Sequence, residues 1–322
     1  MTYICKMKLN KMKLAKMKNE IYEKYREGFQ LGFYQRVGEN RAVNFYIGKD
    51  DKGRFSFEFR GLYNPFRIPS SDVIIVSQTK SDDSYSLGFS LAKPELLEYF
   101  CTFCKDLIDS CIYIKDDITA YEMLYSRFMS WRKLFKPNNG KMTEMEIMGL
   151  IGELLFLRDY MIPKFGVQRS LDSWMGPEKT HKDFSTNDIW YEIKTISSGR
   201  ESVRISSLEQ LDSEVNGYLV VYVLEKMSSS YAGLSLNAIV DGLLVQIESH
   251  IQKDLFISKL ELYGYDFSQD YNNYVYSQTD RMTFWINDDF PRLKRSNVPI
   301  PITKVQYDLA LSEIKKKSIT LY

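Results

Sequence analysis

The eight residues Ile189-Trp190-Tyr191-Glu192-Ile193-Lys194-Thr195-Ile196 constrain the fold more than any other stretch of the chain. They are mostly β-branched or aromatic and follow an Asn187-Asp188 turn, so they read as a strand. Alternation sends Ile189, Tyr191, Ile193 and Thr195 to one face and Trp190, Glu192, Lys194 and Ile196 to the other. Glu192 and Lys194 therefore stand side by side, about 7 Å apart by strand rise.

Asp183 precedes Glu192 by nine positions, the spacing at which two short adjacent strands joined by a tight turn bring their polar side chains together. His181-Lys182-Asp183-Phe184 supplies the partner strand, and Gly166 to Ser173 a further one. Two carboxylates and one lysine then converge. Carboxylates packed this closely resist joint ionisation, so the arrangement calls for a divalent cation between them, and oxygen ligands select magnesium or manganese.

Upstream, Thr143 and Glu146 form a capping box that opens an apolar helix, Ile147-Met148-Gly149-Leu150-Ile151-Gly152-Glu153-Leu154-Leu155-Phe156-Leu157. Glu153 is the single charge in that run. A buried carboxylate costs several kcal/mol unless a partner, a cation or a hydrogen-bond network offsets it, and a salt bridge to an arginine such as Arg158 competes with a role in a site. Downstream, Ser206 with Glu209 and Ser207 with Gln210 read as capping boxes of a helix ending at Asn216-Gly217, before a buried strand from Tyr218 to Leu224. The order helix, three strands, helix, strand predicts a mixed sheet with flanking helices.

Before this region, aromatics at period two, clearest at Phe55, Phe57 and Phe59, predict an antiparallel β module, with Asp50-Asp51-Lys52-Gly53 as one of its turns. Helices are expected from Pro94 to Cys111 and from Ile118 to Phe135, stopping at Lys136-Pro137-Asn138-Asn139-Gly140. The expected organisation is a basic, helical segment 1–30, a β-rich module 31–93, a helical connector 94–140, a core 141–226 and an α/β extension 227–322.

Charge narrows the function little, because 43 Lys and Arg balance 42 Asp and Glu and any polyanion affinity must come from local patches. The four cysteines, Cys5, Cys101, Cys104 and Cys111, read as small packing residues in a reducing cytoplasm rather than as a zinc site. No stretch approaches the roughly 20 apolar residues of a membrane span. The lysine-studded start from Lys6 to Lys18 has no hydrophobic core of the kind a signal peptide carries. Walker-type, Gly-x-Gly-x-x-Gly and Gly-x-Ser-x-Gly signatures are missing, which argues against a nucleotide-driven motor and a serine hydrolase.

An acidic residue on the first helix (Glu153), an Asp on the second strand (Asp183) and a Glu-x-Lys on the third (Glu192 to Lys194) resemble the PD-(D/E)XK nuclease superfamily. More narrowly, Gly149 to Leu157, Trp174-Met175-Gly176-Pro177, His181 to Phe184, Glu192 to Thr195 and Ile205 to Leu211 resemble a bacterial group of PD-(D/E)XK motif proteins that accompany restriction and anti-phage genes. The likeness is close from about Met142 to Val223 and looser over the β module. Lys182 stands where the motif's name has proline, and Gln210 is not followed by the tyrosine of a Gln-x-x-x-Tyr pattern.

This resemblance implies an α/β chain, α+β overall, with a restriction-endonuclease-like αβββαβ core behind the antiparallel module. It also implies a cytoplasmic, magnesium-dependent DNA endonuclease. Asp183 and Glu192 would hold the ion with Glu153 beside them, and Lys194 would orient water and stabilise developing charge. His181, Lys182, Arg200, Arg204 and Ser206 are candidates for contact with substrate. Lys133, Lys136, Lys141, Arg292, Lys294, Arg295 and Lys315 to Lys317 are further basic groups available to a phosphate backbone. A methyltransferase or helicase of the same locus, or a second copy of the chain, are the expected protein partners, with no membrane involved. The alternatives are a catalytically silent, nuclease-like binding subunit and an endonuclease acting on RNA.

Overall fold

The computed structural model of the chain describes residues 20–135, 142–178, 181–267, 271 and 273–321. The lysine-rich start with Cys5, and Lys136 to Lys141, lie outside them. In chain order the first elements are α1 (Glu20–Glu27), β1 (Tyr34–Val37), β2 (Asn44–Lys49), β3 (Phe55–Gly61), β4 (Ile74–Ser81), β5 (Ser84–Leu91), α2 (Leu97–Ser110) and α3 (Asp117–Arg132). There follow α4 (Glu144–Phe156), α5 (Ile162–Phe165), α6 (Val167–Ser173), β6 (Phe184–Ser185), β7 (Trp190–Ser197), β8 (Ser202–Ile205) and β9 (Gly217–Met227). The last are α7 (Leu236–Gln246), α8 (His250–Tyr263), β10 (Val275–Ile286), β11 (Tyr307–Ala310), α9 (Leu311–Ile314) and β12 (Ser318–Ile319). These elements divide between two compact units. Among the described residues no helix is long and apolar enough to cross a membrane.

The first unit takes in the described residues of 1–139, 244–261 and 266–269. Its strands form one antiparallel sheet in the order β1-β2-β3-β5-β4. Register sets Phe45 opposite Phe59, Ile47 opposite Phe57 and Phe57 opposite Phe89, which builds one buried aromatic face. Phe103 of α2 and Phe128 of α3 pack their rings on Phe89, and the Tyr25 hydroxyl donates to the Ser56 carbonyl at 2.7 Å. Charge is also buried here. Asp106 accepts from Arg127 at 2.7 Å, from Lys253 at 2.7 Å and from the Trp131 indole at 2.8 Å. Arg127 further pairs with Asp254, so the cluster is balanced in charge.

The second unit takes in the described residues of 140–243, 262–265 and 270–322. Its main sheet runs β12-β10-β9-β7-β6, with β7 and β9 parallel and the other pairs antiparallel, and β8 pairs with β11 in a separate two-stranded sheet. The α+β architecture, with mixed and antiparallel sheets flanked by helices, is that of a restriction-endonuclease-like fold. Helix α4 lies on one face of β7, where Gly152 allows close approach: a Cβ there would overlap the Thr195 hydroxyl. On the opposite face, Trp190 joins Val203, Ile205, Leu219, Val221 and Phe284 in a core. The expected capping box of α4 is formed, with Thr143 Oγ1 accepting from the Glu146 N–H and the Glu146 carboxylate accepting from the Thr143 N–H.

Three local expectations are corrected. Val167 to Ser173 is helix α6 rather than a strand; Gly166, at φ +77°, turns the chain between α5 and α6. The strand expected at His181 to Phe184 is reduced to the two residues Phe184 and Ser185, so Asp183 precedes it. Ser206 and Ser207 open no long helix. Only a 3-10 turn, Leu208–Gln210, follows, and Ser207 makes no side-chain cap. Gly217 begins β9 opposite Trp190, whose ring a Cβ at that position would overlap.

Candidate active site

Glu192 and Lys194 lie on one face of β7, as alternation predicts, and the Lys194 Nζ to Glu192 Oε1 distance is 2.8 Å. Glu192 is buried to 1% exposure. Its second oxygen, Oε2, is buried without a hydrogen-bond partner. A bare buried carboxylate oxygen is expensive, and it is what a cation in the site would repay.

Asp183 enters from the edge of the sheet. The β6–β7 ladder ends at the pair Phe184 and Tyr191, and beyond it the Asp183 carboxylate, not a backbone carbonyl, accepts the Ile193 N–H at 2.7 Å. The Asp183 carbonyl in turn accepts from the N–H groups of Met175 and Gly176, at 2.7 and 3.1 Å. This ties the Trp174-Met175-Gly176 turn to the site.

Glu153 projects from α4 and is fully engaged. The Trp174 indole N–H donates to its Oε2 at 2.7 Å and the Tyr263 hydroxyl to its Oε1 at 2.8 Å. Arg158 instead pairs with Asp159, at 2.7 Å. A Cβ on residue 176 would overlap the Glu153 carboxylate, so a glycine is needed there.

The electrostatics follow from this crowding. Burial, and then repulsion from Asp183, push Glu192 up to about 8, against the opposing pull of Lys194. Burial and Asp183 push Glu153 well above the usual carboxylate range, although Trp174 and Tyr263 favour its charged form. Asp183 is raised by burial, partly offset by Lys194 and the Ile193 N–H. Three carboxyl groups that all resist ionisation thus share the site with Lys194, and the positive charge of Lys194 and of Lys182 only partly offsets that resistance at Asp183 and Glu192.

Among the described residues, no group of three or more His, Cys, Asp and Glu side chains is arranged to hold a metal ion. The structure thus brings Asp183, Glu192 and Lys194 together and leaves Glu153 beside them as an acceptor with a donor already on each oxygen. Two carboxylates, one with an unpartnered oxygen, still fit a hard divalent cation such as magnesium, which takes one or two carboxylates and completes its shell with water and phosphate oxygens.

The expected substrate contacts are placed differently from one another. His181 is exposed, Arg200 is exposed in the turn after β7, and Arg204 on β8 is 70% exposed with a 3.5 Å contact to Asp308. Ser206 is exposed, and its backbone N–H donates to Gln210 Oε1 at 2.8 Å. Lys182 is turned inward, with Nζ donating to the carbonyls of Glu209 and Gln210 at 2.6 and 2.8 Å and lying 3.7 Å from the centre of the Trp190 ring. Burial pushes its ammonium down to about 8. Of the distal basic groups, Arg292 donates to the Leu211 carbonyl, Lys294 pairs with Asp288 and Lys315 with Asp280. Lys133 pairs with Glu261.

Four contributors carry no signal in strand alternation: Gln210, whose Oε1 accepts from Lys194 Nζ at 3.0 Å, together with Trp174, Gly176 and Tyr263. Trp174 and Gly176 belong to a stretch through which the sequence resembles its relatives, the one sign that they matter. Tyr263 lies far from the rest in sequence.

No curated protein and no solved structure matches the chain. A family model described as "Putative PD-(D/E)XK family member, (DUF4420)" matches residues 25–312, most of the chain and all four residues of the acidic site and its lysine. With the Glu-x-Lys strand, the neighbouring aspartate and this match in hand, the chain belongs to the DUF4420 family of PD-(D/E)XK proteins.

Proposed function

We propose that the chain is a metal-dependent endonuclease that hydrolyses phosphodiester bonds in DNA and serves a bacterial restriction or anti-phage system. The observation that carries this reading is Glu192: a buried carboxylate beside Asp183, with one oxygen on Lys194 and the other bare. Asp183 and Glu192 would hold magnesium, with manganese as a substitute. A cation bound there supplies Lewis-acid polarisation of the phosphoryl group and activation of water near neutral pH.

The chain's own residues supply the rest. Lys194 spends two of its three N–H groups on Glu192 and Gln210, and the third is available to a phosphate oxygen or to the attacking water. Asp183 keeps its carboxylate aimed along the sheet edge through the Ile193 N–H, so both acids are set before substrate arrives. Glu153, held by Trp174 and Tyr263, sits where burial and the Asp183 charge oppose its ionisation, so a cation bound beside Asp183 would favour its charged form. Arg200, Arg204 and His181 are exposed, where a polymer backbone would meet them.

The test is cleavage of plasmid DNA and of RNA with magnesium chloride by the wild type, Asp183→Ala and Lys194→Ala. Cleavage of DNA by the wild type alone is expected. Equal cleavage by all three would refute the assigned roles. Nucleic-acid binding with no cleavage, and no uptake of magnesium or manganese in a titration, would instead favour a silent binding subunit. Copurification with a methyltransferase or helicase, or a dimer in solution, would identify the setting in which it works.

A further inference from the structure

A flexible lysine paired with one carboxylate is fixed in charge but not in direction, because its four-carbon stem can swing about the contact. Lys194 has a second acceptor, Gln210 Oε1 at 3.0 Å, from a different part of the chain. That acceptor is itself pinned, since the same oxygen takes the Ser206 N–H at 2.8 Å. Gln210 ends a single 3-10 turn in the connection between β8 and β9, where no strand ladder fixes the backbone.

Arg292 holds the Leu211 carbonyl there, and Lys182 holds the carbonyls on either side of it. The Lys182 Nζ reaches the carbonyls of Glu209 at 2.6 Å, Gln210 at 2.8 Å and Asp212 at 3.5 Å, above the Trp190 ring at 3.7 Å. Trp190 begins the strand that carries Glu192 and Lys194. Lys182 also immediately precedes Asp183, so a two-residue step sets one acid directly and the catalytic amine through Gln210.

We propose that Lys182 and Gln210 are positioning residues for Lys194: Lys182 gathers the carbonyls of Glu209, Gln210 and Asp212, and Gln210, so placed, aims the Lys194 ammonium. Lys182 therefore acts on the enzyme's own backbone rather than on substrate. This inference rests on the nuclease reading for its activity readout but not for its structural one.

The experiment compares the wild type with Gln210→Met, Gln210→Glu, Lys182→Met and the double Met variant. Single-turnover cleavage of a labelled duplex with magnesium is measured beside duplex affinity without divalent ion. In the same metal-free proteins, the Lys194 ε-methylene signal is followed by NMR with labelled lysine and assigned by its loss in Lys194→Arg. Gln210→Met and Lys182→Met should each slow cleavage by roughly 100-fold with affinity unchanged, the scale of a misplaced catalytic group. Gln210→Glu, which keeps the acceptor, should restore most of the rate, and the double variant should be no slower than the slower single one. The Lys194 signal should narrow and shift in both Met variants. Wild-type rates in Gln210→Met, or an unchanged Lys194 signal, would overturn the proposal. A wild type that cleaves nothing would remove the nuclease reading and leave the Lys194 signal to decide the positioning alone.

Discussion

Replacing Glu192 by glutamine should stabilise the protein in alkaline, metal-free buffer while abolishing its function. Burial and Asp183 raise the native group from the ordinary 4.5 to about 8. A group whose native pKa lies above its unfolded one contributes stability that is complete below the unfolded value and disappears as pH climbs through the native one. Between about pH 4.5 and 8 the wild type therefore loses stability that the glutamine variant, nearly isosteric and uncharged, keeps. At 1.36 kcal/mol per unit, the gap opens to roughly 5 kcal/mol above pH 8, and near pH 5 the two proteins should match. Urea unfolding at pH 5, 7 and 9 measures it. Magnesium at pH 8 should narrow the gap, because a ligand that binds the native carboxylates alone stabilises the wild type by mass action. A stability difference that stays constant from pH 5 to 9 would show that Glu192 is not held against its charge, and the case for a cation there would fall with it.

Three further outcomes are expected. Asp106→Asn leaves Arg127 and Lys253 buried with less compensation and should cost about 3–5 kcal/mol; because Asp106 is held below the ordinary carboxylate range by Arg127 and Lys253, against the effect of burial, its contribution in the wild type should fade as pH falls below 4, which acid-unfolding curves would reveal. Gly176→Ala should cost roughly 1–3 kcal/mol by forcing a methyl group against the Glu153 carboxylate, and an unchanged melting temperature would refute that contact. Arg200→Ala and Arg204→Ala should each reduce the slope of log affinity against log salt by about one, with no preference among duplex sequences; an unchanged slope would remove them from the nucleic-acid contact.

The site was legible where one strand sufficed to specify it. Alternation in Trp190 to Ile196 is a property of the pleat, and it carried over directly into the 2.8 Å pair of Glu192 and Lys194. The capping box at Thr143 is equally local, and it formed. The errors came where a tertiary partner replaced a local signal. Ser206, Ser207, Glu209 and Gln210 carry the letters of capping boxes, yet Gln210 turns to Lys194 and the Ser206 N–H, while Lys182 claims the carbonyls around it, so no helix propagates. Asn216-Gly217 reads as a helix stop, but the glycine is there because the Trp190 ring occupies the space of a side chain. Glu153 looked like a metal ligand or an arginine's partner. Its actual donors are an indole 21 positions away and a phenol 110 positions away, and no periodicity reports on such distances.

The three acids are held by three different means, and the difference sets the order in which they can serve. Glu153 has a neutral donor on each oxygen, so a cation would have to displace or share an existing bond. Asp183 has one oxygen committed to a backbone N–H that the end of a two-residue strand leaves over. Glu192 alone keeps a buried oxygen with nothing on it, its desolvation already incurred when the protein folds. A cation entering the site therefore gains most at Glu192, next at Asp183 and least at Glu153. The strain that makes the metal-free site costly is thus the preorganisation that makes it ready for a divalent ion. Titrating Glu192→Gln, Asp183→Asn and Glu153→Gln with manganese should weaken binding in that order, and a Glu153 variant that binds worse than the other two would reverse the assignment.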